Sequence, residues 1–371
     1  MEDDGYLPPR LRIDPPLFNS ANPWATTLEH LRALYRCPST GAVTTRTALL
    51  DQGFPHDDSV HRFAFFAAGT HSVVAGGGEG AADASLNTLG YSPLPLDTYL
   101  GFIRQIYEEE ERRGDEDIAG REKGGRDGDE NNLERRKKKK PFIVSVTGTP
   151  DEVAECYRRI SLFALGVDIQ VAMEVNLSCP NIPGKPPPAY EAEALRVYIK
   201  SIADVVAENA KVRVRVPWGL KTPPYTHAGQ FEMFVRTLRE CAVPRGEDSA
   251  RVAPCCPLSF VTATNTLGSC LLLDGDGDGD GALGVGMGIG GLAGAPLHPL
   301  ALGNVASLRR LLDAAPETRH VDVLGIGGVA DAAGFRRMRG VGAIAVGVGT
   351  ALGIKGVGVF GEIEVGLGVV W

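Results

Sequence analysis

Residues 171–190 read VAMEVNLSCPNIPGKPPPAY. The largely apolar run 171–175 stops at Asn176, which predicts a buried strand that ends there. Cys179 follows three residues later, between Asn176 and Asn181, and several prolines stiffen the chain beyond it. We therefore predict a rigid loop at the end of a strand, with a thiol between two amides. This arrangement suits a site that holds a flat, hydrogen-bonding ring and moves one proton.

Similar apolar runs recur along the whole chain, and most of them are separated by a helical pattern. The eight runs are 16–21, 42–46, 142–147, 171–177, 212–220, 258–264, 321–324 and 343–346. Eight alternating β/α units over this length predict a (β/α)8 TIM barrel of the α/β class. Functional groups of that fold lie at the carboxyl ends of its strands.

Composition narrows the functional classes. The chain has 371 residues and a formal charge of −8, which argues against a nucleic-acid surface. Its seven cysteines form no C-x-x-C pair, and its seven histidines form no H-E-x-x-H motif. We therefore expect reduced thiols, a cytoplasmic location and no metal. We also expect no signal peptide and no membrane span, because no apolar stretch reaches about 18 residues.

The chain is predicted to form a single domain, 1–371, with two low-complexity insertions. In 108–140, 23 of the 33 residues are charged, which predicts a disordered insertion. Its basic end, 135–140, could bind polyanions, but a solvated charge run is the favoured interpretation. The Asp/Gly repeat 274–283 lacks the acidic ligand that a calcium loop needs at its twelfth position and is predicted to be flexible. Residues 47–95 are predicted to be a long functional loop.

Polar or glycine residues follow most of the predicted strands. Gly327-Gly328 and Gly349-Thr350 come after the last two strands, where barrels frequently bind phosphate through exposed backbone N–H groups. A dinucleotide-binding interpretation of the glycines in 284–290 competes weakly, since an Asp/Gly repeat precedes them instead of a strand. Arg46 could equally be a solvated cation, and Asn87 a turn residue.

Several of these segments together resemble one family. The sequence NLSCPNIPGKP at 176–186 is similar to the catalytic loop of dihydroorotate dehydrogenases, specifically the soluble class 1A enzymes that use fumarate. The resemblance also includes SLNTLGY at 85–91, LKTPPY at 220–225, NTLG at 265–268 and the later Gly-Gly motifs. The loop motif is specific, whereas many flavin-binding barrels share the glycine motifs.

The resemblance implies FMN at the barrel mouth, dihydroorotate and fumarate as substrates, and a homodimer. It implies FMN contacts from Ala21, Arg46, Thr47, Asn176, Lys221, Thr264, Gly291, Gly327, Gly328, Gly349 and Thr350. It implies pyrimidine contacts from Arg46, Asn87, Thr88, Leu89, Gly90, Tyr91, Asn176, Asn181, Asn265 and Thr266. Asparagine suits this ring because its amide both donates and accepts hydrogen bonds.

The implied chemistry is oxidation of dihydroorotate to orotate in pyrimidine biosynthesis. Cys179 is the implied base and Lys221 the residue that stabilises negative charge on the reduced flavin. The sequence departs from the family at Arg46, where lysine is usual, and shows no recognisable C-terminal helix after Phe360. Two alternatives stay open: a flavin oxidoreductase for another pyrimidine or a small enone, and a non-catalytic paralogue.

Overall fold

The structure is a computed structural model that describes residues 7–74, 81–121, 139–178, 187–210, 215–244, 253–273, 281–283 and 288–371. Its strands are β1 Leu17–Asn19, β2 Val43–Thr44, β3 Phe63–Phe66, β4 Ala84–Asn87, β5 Phe142–Val146, β6 Val171–Asn176, β7 Trp218–Lys221, β8 Phe260–Ala263, β9 Leu267–Leu271, β10 Ile289–Gly294, β11 Asp322–Ile326 and β12 Ala345–Val348.

Eight of these strands form a parallel barrel, which confirms the predicted (β/α)8 fold. The order is β1-β12-β11-β8-β7-β6-β5-β2, and a parallel bridge between Phe18 and Ala42 links the two ends of the sheet. Each barrel strand lies in one of the eight predicted runs or overlaps it. Register within the barrel puts Asn176 opposite Lys221 at the carboxyl ends of β6 and β7.

The barrel interior is filled by side chains from alternate strand positions. Phe18, Ala172 and Phe260 belong to one fully buried cluster there. On β7 the facing position is Gly219, where a Cβ atom would lie 2.2 Å from the Phe260 carbonyl oxygen and 2.5 Å from its ring. A bulky aromatic opposite a glycine is the alternation of large and small residues that lets a barrel core pack without voids.

A second, antiparallel sheet lies over the barrel mouth, in the order β3-β4-β10-β9. Two of its strands come from 47–95, so the prediction of one long loop there is wrong. Phe66 and Leu86 pack with Leu272 in a separate buried cluster. The sequence does not reveal these strands because they are short and pair with segments that are distant in sequence, as Asn87 does with Gly291.

The helices are α1 Leu28–Arg36, α2 Leu96–Arg121, α3 Pro150–Ala164, α4 Ala192–Ala210, α5 Ala228–Glu240, α6 His298–Asp313, α7 Ala332–Gly340, α8 Thr350–Lys355 and α9 Gly358–Leu367. A capping box of Thr149 with Glu152 begins α3. A second capping box, of Thr27 with His30, begins α1. Within the described residues, no helix combines the length and apolar composition needed to cross a membrane.

Helix α2 corrects the predicted boundary of the charged insertion. The helix continues to Arg121, so the first part of 108–140, which was predicted to be disordered, is helical. Acidic side chains on its exposed turns pair with α1: Glu109 accepts hydrogen bonds from Arg32, and Glu110 from Arg36. The rest of the insertion up to Lys138 and most of the repeat 274–283 lie outside the described residues.

The chain ends in a helix, which was not predicted. Helix α9 buries Val359, Phe360 and Ile363 completely and ends at Gly368, whose φ of 69° is left-handed. Its glycine-rich and β-branched sequence has low intrinsic helix propensity. Tertiary burial of one apolar face therefore stabilises a helix that local sequence disfavours.

Candidate active site

A cleft opens at the carboxyl ends of the barrel strands, beneath the second sheet. The predicted site residues that line it are Ala21, Arg46, Thr47, Asn87, Leu89, Gly90, Tyr91, Asn176, Lys221, Thr264, Asn265, Thr266, Gly327, Gly328, Gly349 and Thr350. Cys179 and Asn181 lie outside the described residues. The structure thus brings most of the predicted residues to one place, from eight separate segments of sequence.

Two predicted residues lie beside the cleft instead of lining it. The Thr88 hydroxyl donates a hydrogen bond to the Val60 carbonyl at 2.6 Å and so faces the neighbouring strand segment. Gly291 pairs with Asn87 in the second sheet, and its carbonyl accepts a hydrogen bond from Asn87 Nδ2 at 3.2 Å. Both residues therefore hold Asn87 and its loop in place.

A buried hydrogen-bond chain fixes the amide at the end of β6. Asn176 Nδ2 donates to Thr47 Oγ1 at 3.1 Å, Thr47 and Ser145 share a hydrogen bond of 3.0 Å, and Ser145 Oγ donates to Glu174 at 3.0 Å. Because Ser145 donates its one hydroxyl hydrogen to the carboxylate, the hydrogen between the two hydroxyls comes from Thr47. Glu174 and Ser145 are fully or almost fully buried, and neither role is recognisable from the sequence alone.

The base of the Cys179 loop is anchored by the same amide. Ser178 Oγ donates to Asn176 Oδ1 at 2.9 Å, and the Ser178 backbone N–H reaches the same oxygen at 3.2 Å. Asn265, which follows β8, donates from its Nδ2 atom to Ser178 Oγ at 3.0 Å. Ser178 is the residue before Cys179 and is 1% exposed, so this network fixes the point from which the loop departs.

Lys221 ends β7 beside this network. It is 3% exposed and opposite Asn176 in the sheet register, and it lines the cleft. A lysine at a buried strand end places its ammonium group in surroundings that hydrate it poorly. Such a cation favours a bound anion or a ligand atom on which negative charge develops.

Glycine turns form the opposite end of the cleft. Gly327 and Gly328 have φ values of 123° and 69°, which favour glycine. At Gly349 a Cβ atom would have a single neighbour within 4 Å, Ser20 Oγ at 3.0 Å, so the space beside this backbone is open. Thr350 begins α8, and its hydroxyl is held by Ser85 Oγ at 2.9 Å. An anionic group fits here, against backbone N–H groups beside the open space at Gly349.

One histidine that sequence reasoning missed supports the glycine turn. Arg337 Nε donates to His298 Nε2 at 3.1 Å, so the ring hydrogen resides on Nδ1, which donates to the Gly327 carbonyl at 2.8 Å. His298 is 7% exposed and packs directly below Gly328. Its position within α6, far in sequence from the turn, gave no signal of this role.

Aromatic side chains close the mouth of the cleft. Trp24 stacks on Phe65 with ring centroids 5.5 Å apart, and Phe63 meets Trp24 edge-on at 5.9 Å. Trp24 and Phe63 both line the cleft. Trp24 lies three residues after Ala21, so the sequence could have suggested it as a group that stacks on a ring. The position of Phe63 at the cleft follows from the second sheet, which was not predicted.

Arg46 lies on the wall that faces the loop 87–91. Burial lowers its pKa. Its Nη2 atom is 3.1 Å from His56 Nε2 and 3.5 Å from the Leu89 carbonyl oxygen. Tyr91 in the same loop packs edge-on against Phe54, with centroids 5.7 Å apart.

Comparisons with known proteins agree with this architecture. A sequence model of the family described as dihydroorotate dehydrogenase matches residues 79–370. The dihydroorotate dehydrogenase (fumarate) of Trypanosoma cruzi strain CL Brener is 27% identical over 352 residues, which are 94% of this chain and 87% of that protein. Dihydroorotate dehydrogenase A (fumarate) of Lactococcus lactis subsp. cremoris strain MG1363 is 25% identical over 279 residues, 75% of this chain and 71% of that protein.

The fold has a solved counterpart. The structure of a DHODH from Eimeria tenella in complex with ferulenol superposes with a TM-score of 0.63 at 18% identity, and the match covers 98% of this chain and 86% of the other. At this identity the superposition supports the barrel architecture alone.

Proposed function

This chain belongs to the dihydroorotate dehydrogenase family, and we propose that it oxidises (S)-dihydroorotate to orotate with FMN as cofactor and fumarate as electron acceptor. The observation that supports this best is the convergence of Asn176, Asn265 and Lys221 at the point where the Cys179 loop leaves the barrel. Amides that donate and accept match the alternating N–H and C=O groups of a dihydropyrimidine.

FMN, when bound, supplies the acceptor for the hydride that leaves C6 of the substrate. The described residues fit this group at its phosphate end, because the space beside the Gly349 backbone is open and Gly328 and Thr350 line the same part of the cleft. Lys221 would lie at the edge of the flavin ring where negative charge develops and would stabilise that charge. Ala21, Thr47 and Thr264 would form the wall on which the ring rests.

The proton chemistry falls to this chain's own residues. The Cys179 thiolate would take the proton from C5, since a free thiol with a pKa of about 8.5 is partly ionised near neutral pH. Asn87, Asn181 and Asn265 would orient the ring so that C5 faces this thiolate. The buried chain from Asn176 to Glu174 keeps the central amide from rotating.

Anaerobic mixing of the purified, FMN-loaded protein with dihydroorotate tests the reaction. We expect bleaching of the flavin absorbance and its return on addition of fumarate, with little return on addition of NAD⁺. Bound FMN without bleaching would refute dihydroorotate as substrate and favour another pyrimidine or a small enone. A protein unable to bind FMN would point to a non-catalytic paralogue.

The role of Cys179 has its own test. Cys179→Ser should slow flavin reduction by orders of magnitude while FMN stays bound, because a serine hydroxyl is a much weaker base than a thiolate near neutral pH. Cys270→Ser is the matched control: this half-exposed thiol on β9 lies outside the cleft. Equal rates in the two variants would remove Cys179 from the role of base. The cytoplasmic homodimer expected from the family stays a prediction.

A further inference from the structure

Arg46 is a cation without a carboxylate partner among the described residues. Burial lowers its pKa, and Tyr99 is the one ionisable neighbour there that acts in the opposite direction. A guanidinium that is partly shielded from water and has no counter-ion is unfavourable unless a ligand supplies negative charge. Arg46 lines the cleft, so the ligand that compensates it would lie in the cleft.

The geometry points to His56 as the residue that holds this cation in place. We propose that His56 is a positioning residue: its Nε2 accepts a hydrogen bond from Arg46 and aims the guanidinium at the carboxylate of an anionic pyrimidine. The ligand class rests on the proposed function, whereas the contact between the two side chains does not.

Three short contacts define the arrangement. Arg46 Nη2 lies 3.1 Å from His56 Nε2, and since arginine is always a donor, Nε2 is the acceptor. His56 Nδ1 lies 3.1 Å from the Phe54 carbonyl oxygen and so carries the ring hydrogen. The Leu89 carbonyl oxygen lies 3.5 Å from Arg46 Nη2 and 2.9 Å from His56 Nε2, and since both of these neighbours of Nη2 are acceptors, the Arg46 N–H groups donate toward both and join His56 to the loop 87–91.

This arrangement requires a neutral imidazole. Burial, Arg46 and His61 lower the pKa of His56, whereas the Leu89 and Phe54 carbonyls raise it, and the net direction is downward. His61 contributes from the same segment, with ring centroids 5.3 Å apart. Burial is the largest of these effects and the charge of Arg46 the next, so the surroundings of His56 favour the neutral imidazole.

Arginine makes this arrangement possible where a lysine would not. A guanidinium has five N–H donors in one rigid plane, so it can donate to His56 with one edge and still present another edge to a ligand. A lysine ammonium has no second edge and would be less firmly oriented. His56 is therefore the partner that makes Arg46 a directional anion site.

The test compares His56→Leu with the rescue variant His56→Gln in the FMN-loaded full chain. Dissociation constants for orotate, which has a carboxylate, and uracil, which lacks one, are measured from the change in the flavin spectrum. We expect His56→Leu to weaken orotate binding about ten- to a hundredfold, with uracil nearly unchanged. Glutamine supplies an acceptor for the Arg46 guanidinium, which leucine lacks, so His56→Gln should recover most of the affinity.

Unchanged orotate binding in His56→Leu, or equal weakening of orotate and uracil, would overturn the proposal. A wild-type protein that binds FMN but no orotate would instead refute the proposed substrate. A ligand-free measurement then decides the contact: imidazole NMR of the full chain should show a higher pKa of His56 in Arg46→Gln than in the wild type. An unchanged pKa would show that the two side chains do not interact.

Discussion

Gly328→Ala tests whether position 328 requires glycine because neighbouring atoms leave no room for a Cβ atom or only because of its positive φ. Gly328 has a φ of 69°, and a Cβ atom there would lie 2.5 Å from the Gly294 carbonyl oxygen and 2.7 Å from His298 Cβ. Gly356 has nearly the same φ, 66°, but no heavy atom within 4 Å of the Cβ position. The two glycines therefore differ in steric environment and hardly at all in conformation.

The expected magnitudes follow from this difference. A left-handed alanine costs about 1–2 kcal/mol, and both variants incur that cost. Gly328→Ala must also displace the Gly294 backbone, and forced overpacking of this kind costs about 1–3 kcal/mol more. We expect the free energy of unfolding to fall by about 1–2 kcal/mol in Gly356→Ala and about 2–5 kcal/mol in Gly328→Ala.

Urea denaturation of the FMN-free proteins, followed by circular dichroism, measures both losses. An FMN titration then shows whether the displaced turn has lost its ligand: affinity should fall in Gly328→Ala and stay at the wild-type value in Gly356→Ala. Equal stability losses would show that the Gly294 carbonyl moves aside without cost. Unchanged FMN affinity in Gly328→Ala would refute the phosphate assignment of this turn.

Two further predictions concern stability away from the cleft. Burial lowers the pKa of Lys140 to about 8 from 10.5, so between these values this side chain binds fewer protons in the folded chain than in the unfolded one, and its own contribution to stability rises with pH. Lys140→Met should remove that contribution, so the difference between the wild-type and variant urea midpoints should shift in favour of the wild type from pH 7 to pH 10; parallel profiles would contradict the shift. Ile363→Ala removes a fully buried side chain of α9 and should cost about 2–4 kcal/mol in urea denaturation, whereas Val365→Ala, at a residue 80% exposed, should change stability by less than about 0.5 kcal/mol. Similar effects of the two substitutions would show that α9 does not dock as described.

The barrel could be predicted from the sequence because parallel strands buried on both faces are nearly continuous apolar runs. The run that ends at Asn176 is the clearest case, and β6 has the predicted bounds to within one residue. The second sheet could not be predicted in this way. In β10, Gly290 is glycine because a Cβ atom there would lie 2.6 Å from the Asn87 carbonyl oxygen, a contact across two hundred residues.

The residues of the candidate site also fall into two groups, those that could be predicted from the sequence and those that could not. Residues at strand ends, such as Lys221 and Thr264, were predictable because their position follows from the strand and the fold. His56, His298 and Glu174 were not, since each acts through a partner distant in sequence and none has a characteristic spacing. Supporting residues of this kind become visible only when hydrogen-bond partners are known.

The two walls of the cleft are fixed by different physical means, and this difference has a consequence for ligand binding. One wall is formed by the hydrogen-bond chain Asn176–Thr47–Ser145–Glu174, in which each side-chain donor has one acceptor. Reversing any of these bonds leaves a buried group unsatisfied, at a cost of about 1–3 kcal/mol. The other wall contains Arg46 and His56, and the His56 ring lies beside the carbonyl oxygens of Phe54 and Leu89. When His56 gains a proton, its Nε2 can donate to the Leu89 carbonyl and no longer accepts from Arg46. Ring recognition by the amides should therefore vary little with pH, whereas recognition of a carboxylate by Arg46 should weaken as His56 becomes protonated.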